Sequence, residues 1–283
     1  GRQTKPSVLG GRPAMAPSAL PNLMYFHRPR AMTGADIRRT ITDFGRAAAQ
    51  AREAGFDAVQ IHAAHGYLVA GFLSPLTNRR RDEWGGDAAG RRRFLEAVYQ
   101  AVRSAVGDDF ALLCKLNADD HVGMGITPRE SFAAARRLAA LGLDAVELSS
   151  GIFETGIYIC RGRMAVDLMG RDRHPLARLW LRLAAAGQQP WVRFRENYHR
   201  PYARALKPQL PIPLILVGGI RRRTAAEALL QDGSADFVAL ARPLIREPGL
   251  PARWQAGRQE ASACSNGNRC LGAMEQGAPL RCY

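Results

Sequence analysis

Two histidines and a tyrosine crowd one short segment, Ile61-His62-Ala-Ala-His65-Gly-Tyr67-Leu68. The stretch leading into them, Phe56-Asp-Ala-Val-Gln-Ile-His62, is short and β-branched, which predicts a strand. Two imidazoles three residues apart, leaving a strand end, can both donate to one oxygen atom. A phenol two positions later can reach a carbon near that oxygen. Such a set suits polarising a carbonyl and delivering a proton. The same spacing also serves a pair of structural histidines that cap loop carbonyls. Zinc would need a third ligand at suitable spacing, and none lies nearby.

Lysine occurs only at Lys5, Lys115 and Lys207, so Lys115 inside the apolar run Phe110 to Leu116 stands out. It can be a fixed charge, an ion-pair partner of Asp119 or Glu147, or the nucleophile of a Schiff-base lyase. These residues need elements to position them. Thr33 with Asp36 resembles a capping arrangement for a helix carrying Ile37, Ile41, Phe44 and Ala48 and ending at Gly55. A second helix carries Phe94, Leu95, Val98 and Val102. Thr127-Pro-Arg-Glu130 is a capping box for a third helix, which Gly142 closes. Thr224-Ala-Ala-Glu227 predicts a further cap, with that helix ending at Gly233. Strands are expected at Phe56 to His62, Phe110 to Leu116, Asp144 to Leu148, Leu214 to Val217 and Asp236 to Leu240. Buried strands alternating with amphipathic helices require right-handed crossovers and a parallel sheet. His62, Lys115, Ser149, Gly218 and Arg242 then fall at or just beyond the carboxyl ends of strands, where α/β enzymes place their sites. Residues 1–32 hold many Gly and Pro and read as an irregular loop, and 151–195 as an insertion in which Leu179 to Ala186 suits a helix. The whole of 1–283 reads as a single domain.

The chain has 283 residues, with 47% hydrophobic and 23% charged, as expected for a globular protein. No apolar run approaches the ~20 residues of a membrane span. Five cysteines, an odd number with Cys114 in a strand-like run, argue for a reducing compartment and the cytoplasm. The net charge of +15 is almost all arginine. Groups such as Arg79–Arg81, Arg91–Arg93 and Arg221–Arg223 are scattered over loops and helix starts. That scatter argues against nucleic acid as the main partner.

The segment from Ala54-Gly-Phe-Asp through His62-Ala-Ala-His65-Gly-Tyr67-Leu, running into Phe72-Leu-Ser-Pro-Leu-Thr-Asn and Asp82-Glu-Trp-Gly85-Gly86, resembles the old yellow enzyme (NADH:flavin oxidoreductase) family. Weaker similarity includes Gly1-Arg-Gln-Thr, Val217-Gly-Gly-Ile and Ala239-Leu-Ala241-Arg242-Pro-Leu. The resemblance implies a (β/α)8 TIM barrel that binds FMN and draws electrons from NADH or NADPH. His62 and His65 would hydrogen-bond the carbonyl oxygen of an electron-poor alkene, a small-molecule substrate. Reduced flavin would give a hydride to the β-carbon, and Tyr67 would protonate the α-carbon. In the family the second of these positions is His or Asn, so His65 fits. Lys115 stands where relatives usually carry arginine beside the flavin pyrimidine edge; lysine supplies the charge but not the planar fork. Gly218, Gly219, Ala241 and Arg242 resemble the grip on the FMN phosphate, with backbone N–H groups and a guanidinium aimed at one anion. Cys264, Cys270 and Cys282 stand where cluster-bearing relatives place four cysteines. Gly267 takes the second position, which leaves too few ligands, so no iron–sulfur cluster is expected. The family's barrel begins with three strands before the region of Gly1, so an incomplete barrel of about five parallel strands is expected here. Its open edges would favour self-association into a homo-oligomer. The alternatives are the Lys115 lyase and an inactive fragment with polyanion affinity.

Overall fold

A computed structural model describes residues 1–4, 6–22, 27–152, 155, 158–171, 175–258 and 260–283. The chain opens with two very short strands, β1 Met15–Ala16 and β2 Arg30–Ala31, and then α1 Gly34–Glu53. There follow β3 Ala58–Ala63, α2 Leu68–Leu73, α3 Ala88–Val106, β4 Ala111–Asn117, α4 Pro128–Ala140 and β5 Ala145–Ser149. Next come α5 Val166–Met169, α6 Pro175–Val192, α7 Arg200–Leu206, β6 Leu214–Val217, α8 Arg223–Gln231 and β7 Phe237–Ala239. Short helices α9 Arg242–Arg246, α10 Leu250–Gln255 and α11 Arg269–Glu275 finish the chain. The five longer strands form one parallel sheet in the order β3-β4-β5-β6-β7, too few to close an eight-stranded barrel.

Packing divides the chain into two compact units, Gly1–Ile159 with Tyr202–Ile215, and Cys160–Pro201 with Leu216–Tyr283. In the first unit both predicted capping boxes form. Thr33 Oγ1 accepts from the Asp36 N–H at 3.1 Å, and Asp36 Oδ2 accepts from the Thr33 N–H at 2.9 Å. Arg30 and Arg39 also bond the Asp36 carboxylate, and the hydrogen bonds from Arg30 first and then from Thr33 hold its pKa far below the usual range. Thr127 and Glu130 repeat the box for α4, with Pro128 in its first turn. Thr33→Ala should therefore cost about 1 kcal/mol, read as a lower urea midpoint at unchanged slope.

Helices α1 and α3 cross closely at Gly45, where an added Cβ would lie 2.9 Å from the Ala101 carbonyl oxygen. Beneath α3, Phe94 stacks on Phe72 with centroids 4.1 Å apart, and Trp84 meets Phe94 edge-on. The arginine groups are used for construction. Arg80 donates to the Pro17 and Met32 carbonyls and pairs with Asp82, while Arg91 holds the Leu73 and Gly86 carbonyls and Glu130.

Strand pairing sets which side chains share a face. The register places His62 beside Lys115 and Lys115 beside Glu147, with Asn117 beside Ser149. Because side chains alternate along a strand, Ile61, Ala63, Leu112, Cys114, Leu116, Val146 and Leu148 lie on the opposite face, all buried. Gln60, His62, Lys115, Asn117, Glu147 and Ser149 share the other face. That face is polar.

In the second unit Leu216, Ile220, Ala226, Leu229, Leu250 and Trp254 are buried, and Ala165, Leu168 and Ala273 form a small cluster between α5 and α11. Three expectations need correction. The residue capping α8 is Arg222, with no side-chain cap bond, and Glu227 takes the Arg223 guanidinium instead of reaching back toward Thr224. Residues 1–32 are not without strands, since Met15–Ala16 pairs in parallel with Arg30–Ala31. Within 151–195 the helix runs over 175–192, well beyond the expected Leu179 to Ala186. Among the described residues no helix is long and apolar enough to cross a membrane.

Candidate active site

The first unit gathers His62, His65, Tyr67 and Lys115 at the carboxyl ends of β3 and β4. His62 is the penultimate residue of β3. The chain then turns sharply through His65 and Gly66, both with positive φ, at 62° and 73°. This turn brings the later rings back over the strand end. The His62 ring lies 5.1 Å from that of His65, edge-on, and 5.1 Å from that of Tyr67. Tyr67 caps the start of α2 and is 42% exposed, so its phenol meets solvent.

Lys115 Nζ donates to Glu147 Oε1 at 2.7 Å, and Gln60 Nε2 donates to Glu147 Oε2 at 2.9 Å. Of the two partners the sequence left open, the parallel register chooses Glu147. Asp119 instead accepts from the His121 backbone N–H at 2.7 Å and from the Tyr202 hydroxyl at 3.2 Å. An ammonium held against a carboxylate is the opposite of the uncharged amine that Schiff-base chemistry requires.

The two histidines differ. His65 Nε2 is 2.8 Å from Ser149 Oγ, and its backbone N–H donates to Asn117 Oδ1 at 3.1 Å. His62 is held below the ordinary histidine pKa, first by burial among protein atoms, then by the Lys115 ammonium, with Glu147 opposing both. Its neutral form therefore predominates at neutral pH, able to donate one N–H. A histidine with a depressed folded value favours the fold above its unfolded value and loses that contribution as pH falls through the gap. An NMR titration of the His62 ring should give a midpoint below 6.5. Lys115→Met should move that midpoint upward.

The second unit holds the remaining predicted residues. Gly218 and Gly219 follow β6 with φ of 124° and 76°. An added Cβ at Gly218 would lie 2.6 Å from His199 Nδ1, and one at Gly219 would lie 2.6 Å from the Arg195 carbonyl oxygen. Only glycine fits this turn. Ala241 caps the start of α9 and Arg242 is its first residue, 9% exposed, donating to the Arg161 carbonyl at 3.0 Å and to Asn268 Oδ1 at 2.7 Å. Tyr198 packs against the glycine turn and beside Arg242, and burial pushes its phenol up to about 12. Sequence reasoning missed Gln60, Asn117, Tyr198, His199 and Asn268; their partners are distant in the chain, and no local pattern marks them. Among the described residues no group of three or more His, Cys, Asp or Glu side chains is placed to hold a metal ion. Cys264 is buried, Cys270 half-buried and Cys282 exposed.

Comparison with known proteins bears on this geometry. A model of the NADH:flavin oxidoreductase / NADH oxidase family matches residues 4–158. The chain is 35% identical over 247 residues to the 4,4'-dithiodibutanoate disulfide reductase of Rhodococcus erythropolis, covering 87% of this chain and 61% of that protein. Among solved structures, 2-naphthoyl-CoA reductase in complex with 2-naphthoyl-CoA superposes with a TM-score of 0.80 at 25% identity, covering 96% of this chain and 38% of that one. The old yellow enzyme homologue of Zymomonas mobilis gives 0.66 at 26% identity, covering 94% of this chain and 68% of that one. This chain thus spans less than two thirds of the length of the first two.

Proposed function

The chain belongs to the NADH:flavin oxidoreductase / NADH oxidase family, and from that premise we propose that it serves FMN-dependent, NAD(P)H-driven reduction of activated C=C bonds in enone-type substrates. The observation that carries this reading is the His62 ring, beside Lys115 in the strand register, lying 5.1 Å from the His65 ring and 5.1 Å from the Tyr67 ring. A closed barrel packs that face with branched apolar layers. Here it is a row of His, Lys, Glu and Gln, which fits a polar ring system. In the first unit Lys115 would lie against a flavin ring; in the second, the Gly218-Gly219 turn, Ala241 and Arg242 would take a phosphate. When bound, FMN supplies the two-electron chemistry that links NAD(P)H to the alkene.

The protein's own part is electrostatic and protonic. His62 and His65 bind the carbonyl oxygen, where negative charge grows as the β-carbon gains hydride. Donors aimed at developing charge lower a barrier more than donors that bind the ground state equally well. Tyr67 gives its phenolic proton to the α-carbon and, being open to solvent, regains one from water. The chain loaded with FMN and supplied anaerobically with NADH or NADPH should convert 2-cyclohexenone to cyclohexanone. Oxidation of nicotinamide without ketone formation would sink the substrate class. Borohydride trapping of a carbonyl compound on Lys115 would favour the lyase instead.

A further inference from the structure

Asn117, the last residue of β4, touches three loops with one amide. Its Oδ1 accepts from the His65 N–H at 3.1 Å, and its Nδ2 donates to Asp120 Oδ1 at 2.9 Å and to the Gly151 carbonyl at 2.7 Å. The loops after β3, β4 and β5 are thereby tied at one point. Asp120 is the anchor. It is 1% exposed, and its Oδ2 accepts from Ser74 Oγ at 2.7 Å and from the Ile126 N–H at 2.9 Å, so the carboxylate cannot turn without stranding a donor. Ser149 stands beside Asn117 in the strand register and meets the His65 ring at Nε2. His65 itself sits at a φ of 62°, a backbone region that a residue with a Cβ occupies only when its surroundings impose it.

We propose that Asn117 and Ser149 are positioning residues: Asn117 clamps the His65 backbone in its left-handed turn, and Ser149 fixes the rotation of the imidazole that meets the substrate carbonyl. The part of this inference that concerns substrate rests on the reductase reading above; the part that concerns the ring does not. Asp120 acts one step further out, by holding the Asn117 amide so that its oxygen faces His65.

The test uses the full chain with histidine labelled at the ring nitrogens. Ser149→Ala should shift the His65 Nε2 resonance and its titration midpoint while leaving those of His62 nearly in place. It should also lower kcat/KM for the enone about tenfold, the size of one lost hydrogen bond, with the larger part of the loss in kcat. Ser149→Thr, which keeps the hydroxyl, should restore both. Asn117→Ala should broaden or split the His65 signals, because the turn loses its clamp. An unmoved His65 resonance in Ser149→Ala, or no recovery in Ser149→Thr, would overturn the proposal whether or not the thermal midpoint falls. If the parent chain reduces no enone, the reductase reading fails, and the ring resonances still decide the positioning claim.

Discussion

Alanine at His62 is expected to lower kcat/KM for an enone by about 10²–10³-fold, the usual loss when one donor to a developing oxyanion is removed. His62 is exposed, and among the described residues no hydrogen bond holds its side chain, so the urea midpoint should change little. His65→Ala should produce a loss of the same order. The double variant should fall well short of the product of the two, because in the proposed reaction both rings serve one oxygen atom and act as a unit. Absorbance of bound flavin separates this outcome from loss of cofactor. If His62→Ala keeps its flavin and its full rate, the imidazole is not where charge develops.

Lys115→Ala should produce the largest loss of stability among the site residues, about 3–5 kcal/mol, because it strands a buried carboxylate. The two side chains are 20% and 10% exposed, so solvent compensates little. Glu147 would keep only the Gln60 amide. Changing Glu147 to Gln in the same chain should recover most of that loss, since the stranded charge is then gone. Equal losses in the single and double variants, measured by urea unfolding, would mean that the ion pair does not set the cost. Lys115→Arg is a separate question: it preserves the charge, but its fork must fit a carboxylate already shared with Gln60.

Much of the frame is legible in the sequence because local chemistry and global packing agree. The Thr33 and Thr127 caps form as read, and each of the five strands lies within two residues of its expected limits. Short apolar runs between helices whose ends are chemically marked leave little freedom. Where the local signal misleads, the reason is physical. Thr224-Ala-Ala-Glu227 has the composition of a capping box, but Arg223 lies one turn from Glu227 and claims its carboxylate. Strands of two residues, such as Met15–Ala16, carry no periodicity to detect. Gly187 and Pro190 break the helical pattern within α6, so its full length is hidden.

The site divides in the same way. His62, His65 and Tyr67 are close in sequence, and their convergence follows from one strand end and one turn. Lys115 was identified, but its partner was not, since Asp119 and Glu147 differ only by a register that the sequence does not print. The Asn117 hub was invisible. Its partners are His65, Asp120 and Gly151, drawn from three loops, and an asparagine closing a strand reads as nothing more than the start of a loop.

In the proposed reaction two imidazoles and a phenol act together on one conjugated carbonyl. That is tested most directly by running the FMN-loaded chain with 2-cyclohexenone and NADH or NADPH in D2O and locating the label in the product. Deuterium at the α-carbon in the parent chain, with ketone formation nearly abolished in the His62→Ala, His65→Ala double variant and slowed in Tyr67→Phe, is the predicted result. Unchanged labelling and rate in both variants would contradict this joint action.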